Sequence, residues 1–255
     1  MTSPIAAVVA GLQQARSAQR PIDAAPLEAL LQSAADAYAV QDEMARQAAW
    51  YGGAVPVHWK SGGPSRSAVL THAGLPPANV RPSPADFRDV HFNSRLIEAE
   101  VALRLGRDVG AAEAAALSPD SAAALVDAMT VSIEVVDSRW HDMRSAPALL
   151  KLADLQSHGA LALGEWIPFA ARDWSRQSCT VWVADAAPQA FTGTHSLGDP
   201  AWLLPAWLQH VTRHGAMVPR GTMVTTGTWC GMLEAKHGDR VRAVFEGIGS
   251  AELQL

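Results

Sequence analysis

Residues 97–105 alternate: Ile97, Ala99, Val101, Leu103 and Leu105 take every second position, with Glu98, Glu100, Ala102 and Arg104 between them. Successive side chains of a strand project to opposite faces, so this period of two predicts a strand with one apolar face and two carboxylates on the other. A second run repeats the pattern, Val131, Ile133 and Val135 alternating with Ser132 and Glu134. A chain carrying such strands must hide their apolar faces in a shared core, which restricts it to strand-rich architectures.

Helices are expected mainly outside that body. Ile5, Val8, Val9 and Leu12 recur at helical spacing, and after Pro21 so do Leu27, Leu30, Leu31, Ala34, Ala35 and Tyr38, which together predict a small N-terminal helical cap. Between residues 54 and 88, glycines and prolines punctuate short extended pieces, and a domain division is expected there, with 1–88 as cap and extended segment and 89–255 as the body. Ser118 and Pro119 read as N-cap and first turn of a helix running to about Met129. Further strands are expected at 160–163, 179–184, 223–228 and 241–245, and a helix at 201–214 closed by Gly215. The fold class is α+β, with few helices.

With 255 residues, 49% of them hydrophobic and 18% charged, the chain can bury a sizeable core as one large domain, or one domain with an appendage. A net charge of −5 without a basic block excludes the usual footprint of a nucleic-acid binder. No apolar run approaches the roughly 20 residues of a membrane-spanning helix, and the short run at 5–11 reads as helix, not signal peptide. Cys179 and Cys230 stand far apart outside any CxxC spacing, which suits a reducing cytoplasm. The histidines form no HExxH, and no Gly-rich fingerprint calls for NAD or ATP.

Residues i and i+2 of a strand share a face, so Glu98 and Glu100 can reach one ion, and Glu134 on a second strand can supply a third carboxylate. Oxygen-only ligation favours Mg²⁺ or Mn²⁺, whereas zinc would call on His or Cys. Taken alone, an alternating acid pair of this kind is ordinarily the solvated face of a strand.

The neighbouring sequence adds more. The run Ile97-Glu98-Ala99-Glu100-Val101-Ala102-Leu103-Arg104-Leu105-Gly106-Arg107-Asp108 resembles the fumarylacetoacetate hydrolase superfamily and, within it, the 2-oxopent-4-enoate hydratase and 4-oxalocrotonate decarboxylase branch. In the same order follow Ile133-Glu134-Val135-Val136-Asp137-Ser138-Arg139, similar to the segment bearing that branch's third metal carboxylate, then Ala153-Asp154 with Gly159 to Gly164. Thr225-Thr226-Gly227-Thr228-Trp229-Cys230-Gly231 is similar to the substrate loop, and Gly238-Asp239 with Gly247-Ile248-Gly249 to the closing hairpin. Trp59-Lys60-Ser61 lies where the branch often carries a lysine on an extended segment. Two departures stand out. Ala153-Asp154-Leu155 replaces Ala-Asp-Asn, removing a polar side chain expected to line the site, and Thr-Gly-Thr-Trp replaces the usual small-residue loop.

The resemblance implies a mixed β-roll core, a Mg²⁺ or Mn²⁺ site at Glu98, Glu100 and Glu134, a 2-oxo acid or dienol substrate, and a homo-oligomer, with a partner decarboxylase or aldolase as a further associate. It makes Lys60 a residue that orients substrate or, with a lowered pKa, shuttles a proton; the alternative is a solvated lysine beside a Gly-rich loop. Thr228 and the amides near Gly227 would hold a substrate carboxylate, or Thr228 would satisfy its own turn. Asp154 would be catalytic or would close a turn, and Asp137 and Arg139 would form a structural ion pair. The tryptophans suit core and interface packing, with Trp229 placed to wall a pocket. The first expected activity is hydration of a 2-hydroxy-2,4-dienoate to a 4-hydroxy-2-oxo acid. Decarboxylation of a 4-oxalocrotonate-type diacid is second. Acylpyruvate-type C–C hydrolysis is third, since the His-Glu pair one helical turn apart that it often uses has no HxxE counterpart here. A metal-binding assembly protein without catalysis is the alternative from outside enzymology.

Overall fold

A computed structural model describes residues 3–255. Helix α1 (Pro4–Ala18) opens with the Ser3 hydroxyl accepting from the Ala6 amide and Pro4 in the first turn. The spacing from Leu27 to Tyr38, expected as one helix, is split. A 3₁₀ turn covers Ala25–Leu30, the chain extends at Leu31, and α2 (Ala34–Gln47) starts afresh. A reciprocal capping box between Ser33 and Asp36 makes the break, since its two hydrogen bonds fix a helix start at Ser33.

The Gly/Pro-rich segment supplies four strands: β1 (His58–Gly62), β2 (Thr71–Gly74), β3 (Val80–Pro82) and β4 (Ala85–Asp86). They pair within the sheets of the body, so strand pairing runs across residue 88. Next come β5 (Leu96–Leu105), the short helices α3 (Ala111–Ala115) and α4 (Pro119–Ala123), and β6 (Val126–Val136). The helix capped by Ser118 stops at Ala123, short of Met129, because β5 takes antiparallel partners along its whole length, from Leu96 opposite Val136 to Leu105 opposite Val126. The pair is pinned at its far end by Arg104 and Asp127, 2.9 Å apart. The rest is α5 (Ala148–Ala153), β7 (His158–Leu163), β8 (Ile167–Pro168), β9 (Ser178–Val183), β10 (Gln189–Thr192), α6 (Leu204–Val211), β11 (Met223–Thr228), β12 (Leu233–Glu234), β13 (Arg240–Phe245) and β14 (Gly249–Gln254).

The strands form a nine-stranded sheet ordered β2-β1-β11-β5-β6-β7-β3, with β12 added to β5 and β8 to β6, and a five-stranded sheet ordered β10-β9-β13-β14-β4. Ile97, Val101, Leu103, Val131 and Ile133 pack with Val181, Val241, Phe245 and Leu253 of the smaller sheet in the main core. Fully burying such a side chain stabilises by roughly 1.5–3 kcal/mol. On the helical side, Val8, Leu12, Val40 and Met44 pack with Trp140, Leu150 and Leu155 as a separate cluster. The central strands are therefore covered on both faces. Glu100 is 2% and Glu134 0% exposed, so the acidic face is interior and not the solvated outer face of a lone alternating strand. No helix among the described residues is long and apolar enough to cross a membrane.

Candidate active site

Register builds the site. Glu98 pairs with Glu134 across β5 and β6, and Glu100 with Ser132, so three carboxylates share one patch of one sheet face. One oxygen from each lies within 4.8 Å of the others. Around a cation with about 2.1 Å bonds, adjacent ligands stand about 3 Å apart and opposite ones about 4.2 Å, so modest side-chain shifts would let the three oxygens share one ion. Like charges facing each other across strands are destabilising unless something neutralises them.

Two of the carboxylates, Glu134 and Glu100, are each held by one oxygen. Glu134 Oε1 accepts from Lys60 Nζ at 2.7 Å and from His158 Nδ1 at 2.9 Å, while its Oε2 is buried without a partner. An unsatisfied buried carboxylate oxygen is costly, and a cation would satisfy it. Glu100 Oε2 accepts from the Thr225 hydroxyl and, at 2.9 Å, from the Gly227 amide; Ser132 Oγ in turn donates to Thr225 Oγ1 at 2.8 Å. Gly227 has φ +108, and its irregular backbone lies where the β11–β5 register shifts between Thr225 and Thr228. Burial, and then mutual repulsion, push Glu98 up to about 8 and Glu100 up to about 7, against the pull of Lys60. Burial also acts on Glu134, but Lys60 and His158 outweigh it and hold that carboxyl below its usual range. An all-oxygen donor set, an orphaned oxygen and two carboxyls that resist ionising alone together fit a hard divalent cation.

Lys60 comes from β1, which pairs in parallel with β11 and so runs beside the carboxylates. Burial disfavours its charge, yet Glu134, Glu98 and Glu100 more than compensate and its pKa is raised. That direction does not supply the lowered pKa that proton shuttling would call for, and it suits Lys60 as a hydrogen-bond donor beside the cluster. Two of its three N–H groups go to Glu134 and to the Gln156 carbonyl at 3.2 Å, leaving one for a ligand.

Gln156 belongs to a turn of three consecutive left-handed residues, Leu155, Gln156 and Ser157, with φ 52, 55 and 59. Each costs roughly 1–2 kcal/mol outside glycine. Asp154 holds the turn from below. It accepts from Arg139 Nε at 2.6 Å, the Arg139 amide at 3.0 Å and Arg16 Nη2 at 3.2 Å, and Arg139 also reaches Asp137 at 3.4 Å. The Asp154 carboxylate is fully buried in an arginine network and lines neither cavity at the cluster, which favours the turn-closing alternative over the catalytic one. The departure at Leu155 has its reason too, since that side chain is 1% exposed within the helical cluster and takes no part in lining the site.

Two cavities meet at Lys60, Glu98 and Gln156. The smaller, about 270 Å³, is polar and is lined also by Glu100, Gly62, Ser196, Thr225, Gly227 and Thr228. The larger, about 670 Å³, opens toward Val136, Leu149 and Leu152. Gly227 and Thr228 thus reach the site, but their polar groups are engaged: the Gly227 amide holds Glu100, and Thr228 Oγ1 donates to the Gly231 carbonyl at 2.9 Å and accepts from the Cys230 amide at 3.2 Å. Sequence reasoning missed Ser132, Gln156, His158 and Thr225 as participants. Ser132 carried a signal, two residues before Glu134 on the same strand face, and Thr225 stood in the segment similar to the substrate loop.

Residues 70–255 match the family model described as fumarylacetoacetate (FAA) hydrolase C-terminal, so the chain belongs to the fumarylacetoacetate hydrolase family. Among solved structures it is similar to 4-oxalocrotonate decarboxylase from Pseudomonas putida G7. The form complexed with magnesium and adipate gives a TM-score of 0.83 at 19% identity, covering 98% of this chain and 96% of that one. The form with calcium and acetate gives 0.82 at 20% identity over the same shares. A 2-hydroxyhepta-2,4-diene-1,7-dioate isomerase from Mycobacterium marinum gives 0.55 at 16% identity, covering 79% of this chain and 75% of that one. These likenesses establish the fold. No curated protein sequence matched.

Proposed function

We propose that the chain is a divalent-cation-dependent hydratase that adds water to a 2-hydroxy-2,4-dienoate and yields a 4-hydroxy-2-oxo acid. The observation that carries this reading is the convergence of Glu98, Glu100, Glu134 and the Lys60 ammonium where a polar and a larger cavity meet. Glu98, Glu100 and Glu134 would hold Mg²⁺ or Mn²⁺, which when bound supplies Lewis-acid polarisation of a 2-oxo acid head. The bound magnesium and calcium of the structural neighbours support that choice of ion.

Lys60 supplies a fixed positive charge and one free N–H beside the head, stabilising negative charge on the substrate oxygen. Ketonisation moves the enol proton to C5, and water then adds its hydroxyl to C4 and its proton to C3. Gln156, Ser196 and Thr228 line the polar cavity from which that water would come. Asp154 and His158 are positioning residues, the first for the turn that carries Gln156 and the second for Glu134.

Decarboxylation of a 4-oxalocrotonate-type diacid is the second reading, favoured by the fold likeness. The test is an ultraviolet assay with Mg²⁺ or Mn²⁺ on 2-hydroxypenta-2,4-dienoate and on 4-oxalocrotonate, with product identification. Formation of the 4-hydroxy-2-oxo acid supports the hydratase, CO₂ release replaces it with the decarboxylase, and metal-dependent turnover of neither overturns both. The buried free thiols of Cys179 and Cys230 suit the cytoplasmic setting, and family membership supports a homo-oligomer.

A further inference from the structure

The larger cavity continues directly from the carboxylate cluster, sharing Lys60, Glu98 and Gln156 with the polar one. Beyond those residues its wall is made by Val136, Met143, Leu149 and Leu152. At its mouth stand Val69, 86% exposed, and Met232, 49% exposed, two of only four large hydrophobic side chains exposed among the described residues. Scattered exposed hydrophobics are ordinary, but two flanking one apolar cavity mark a surface that a ligand would cover.

The cationic lining does not form a carboxylate site. Arg144 is exposed, Lys151 is half-buried, and the Lys151 ammonium is directed to the Arg144 carbonyl at 3.3 Å. A distal carboxylate would surrender its water along an apolar wall for pairing with solvated cations, which is worth little.

We propose that this cavity seats an extended apolar tail, alkyl or aryl, on the same 2-oxo acid whose head the carboxylate cluster receives; the assignment rests on the function proposed above. Its substrate class is then a 2-hydroxydienoate with an uncharged apolar substituent at the far end.

Calorimetric titration of the full chain, with and without Mg²⁺, tests it with oxalate, the unbranched 2-oxo acids from pyruvate to 2-oxooctanoate, and 2-oxohexanedioate. Oxalate has no tail and reads the head alone. The expected result is Mg²⁺-dependent binding of oxalate, with affinity along the 2-oxo acid series rising about fourfold per methylene. 2-Oxohexanoate should bind at least tenfold tighter than 2-oxohexanedioate, and M232D or V69D should flatten the chain-length slope. Both positions are exposed, so these variants are expected to fold. A flat slope with oxalate binding intact overturns the tail assignment alone. So does preference for the diacid that is lost in R144A or K151A. Absence of Mg²⁺-dependent oxalate binding overturns the functional reading and the tail assignment with it.

Discussion

Glu98 on β5 lies directly opposite Glu134 on β6, and one oxygen of each, with one from Glu100, falls within 4.8 Å of the others. Such a cluster is destabilising without a counter-charge, and Lys60 offsets only part of it. Mg²⁺ or Mn²⁺ should therefore raise the melting temperature of the metal-free protein in a concentration-dependent way. E100Q should abolish that rise and lower turnover on the order of a thousandfold, since several kcal/mol of polarisation is lost. Differential scanning calorimetry after chelation, followed by metal titration, checks both.

The raised carboxyls set a pH dependence with a definite sign. Without metal, Glu98 and Glu100 keep protons up to about 8 and about 7, above their ordinary 4.5, so the folded state binds more protons than the unfolded one across that window. Their contribution to stability is full below 4.5 and is lost as pH rises through those values. Glu134, held low, contributes above its ordinary 4.5 and loses that contribution as pH falls. Metal-free protein should thus melt at lower temperature at pH 8.5 than at pH 6, with the difference reduced by saturating Mg²⁺. Mg²⁺ affinity should move oppositely, weakening as pH falls, by up to about tenfold per pH unit for each proton displaced. Calorimetric titrations in buffers of different ionisation enthalpy count those protons.

The strand pair and its acids were legible because alternation and the i, i+2 rule are local, and five ordered motifs identified the family before any geometry was known. The turn at 155–157 was not legible. Three non-glycine residues at positive φ oppose local preference, and they are held by Arg16, Thr71 and Arg139, remote in sequence. His158 gave no signal for the same reason, since its role exists only once β7 lies beside β6. The helix expected to reach Met129 failed where a long-range demand, the full pairing of β5, overrode a local one.

Lys60 separates charge from chemistry. Its ammonium is 2.7 Å from Glu134, so it would repel a cation held by that carboxylate while serving the substrate in the role proposed above. K60M should reduce turnover on the order of a hundredfold to ten-thousandfold. It should leave Mg²⁺ affinity unchanged or tighter, the opposite of any ligand substitution. A merely structural lysine would lower affinity and turnover together. Steady-state kinetics alongside metal titration distinguishes the two.

Asp154, proposed above as a positioning residue, should be felt on removal at the site it does not touch. It receives Arg139 and Arg16, and its backbone carbonyl accepts from the Ser157 amide at 2.9 Å and from Arg139 Nη2 at 3.2 Å. Removing one partner of a buried ion pair costs about 3–5 kcal/mol because the other charge is left unpaired, so D154A should lower stability by that order. Without its anchor the strained turn should relax, carrying the Gln156 carbonyl away from Lys60. Turnover should then fall at temperatures well below the melting point, with Mg²⁺ affinity little changed because no metal carboxylate is hydrogen-bonded to Asp154. D154E, which can keep the arginine contacts, should recover most of the stability, and turnover should recover with it if the turn is what Asp154 serves. Loss of turnover in D154E at full stability would instead point to a direct chemical role for this carboxylate.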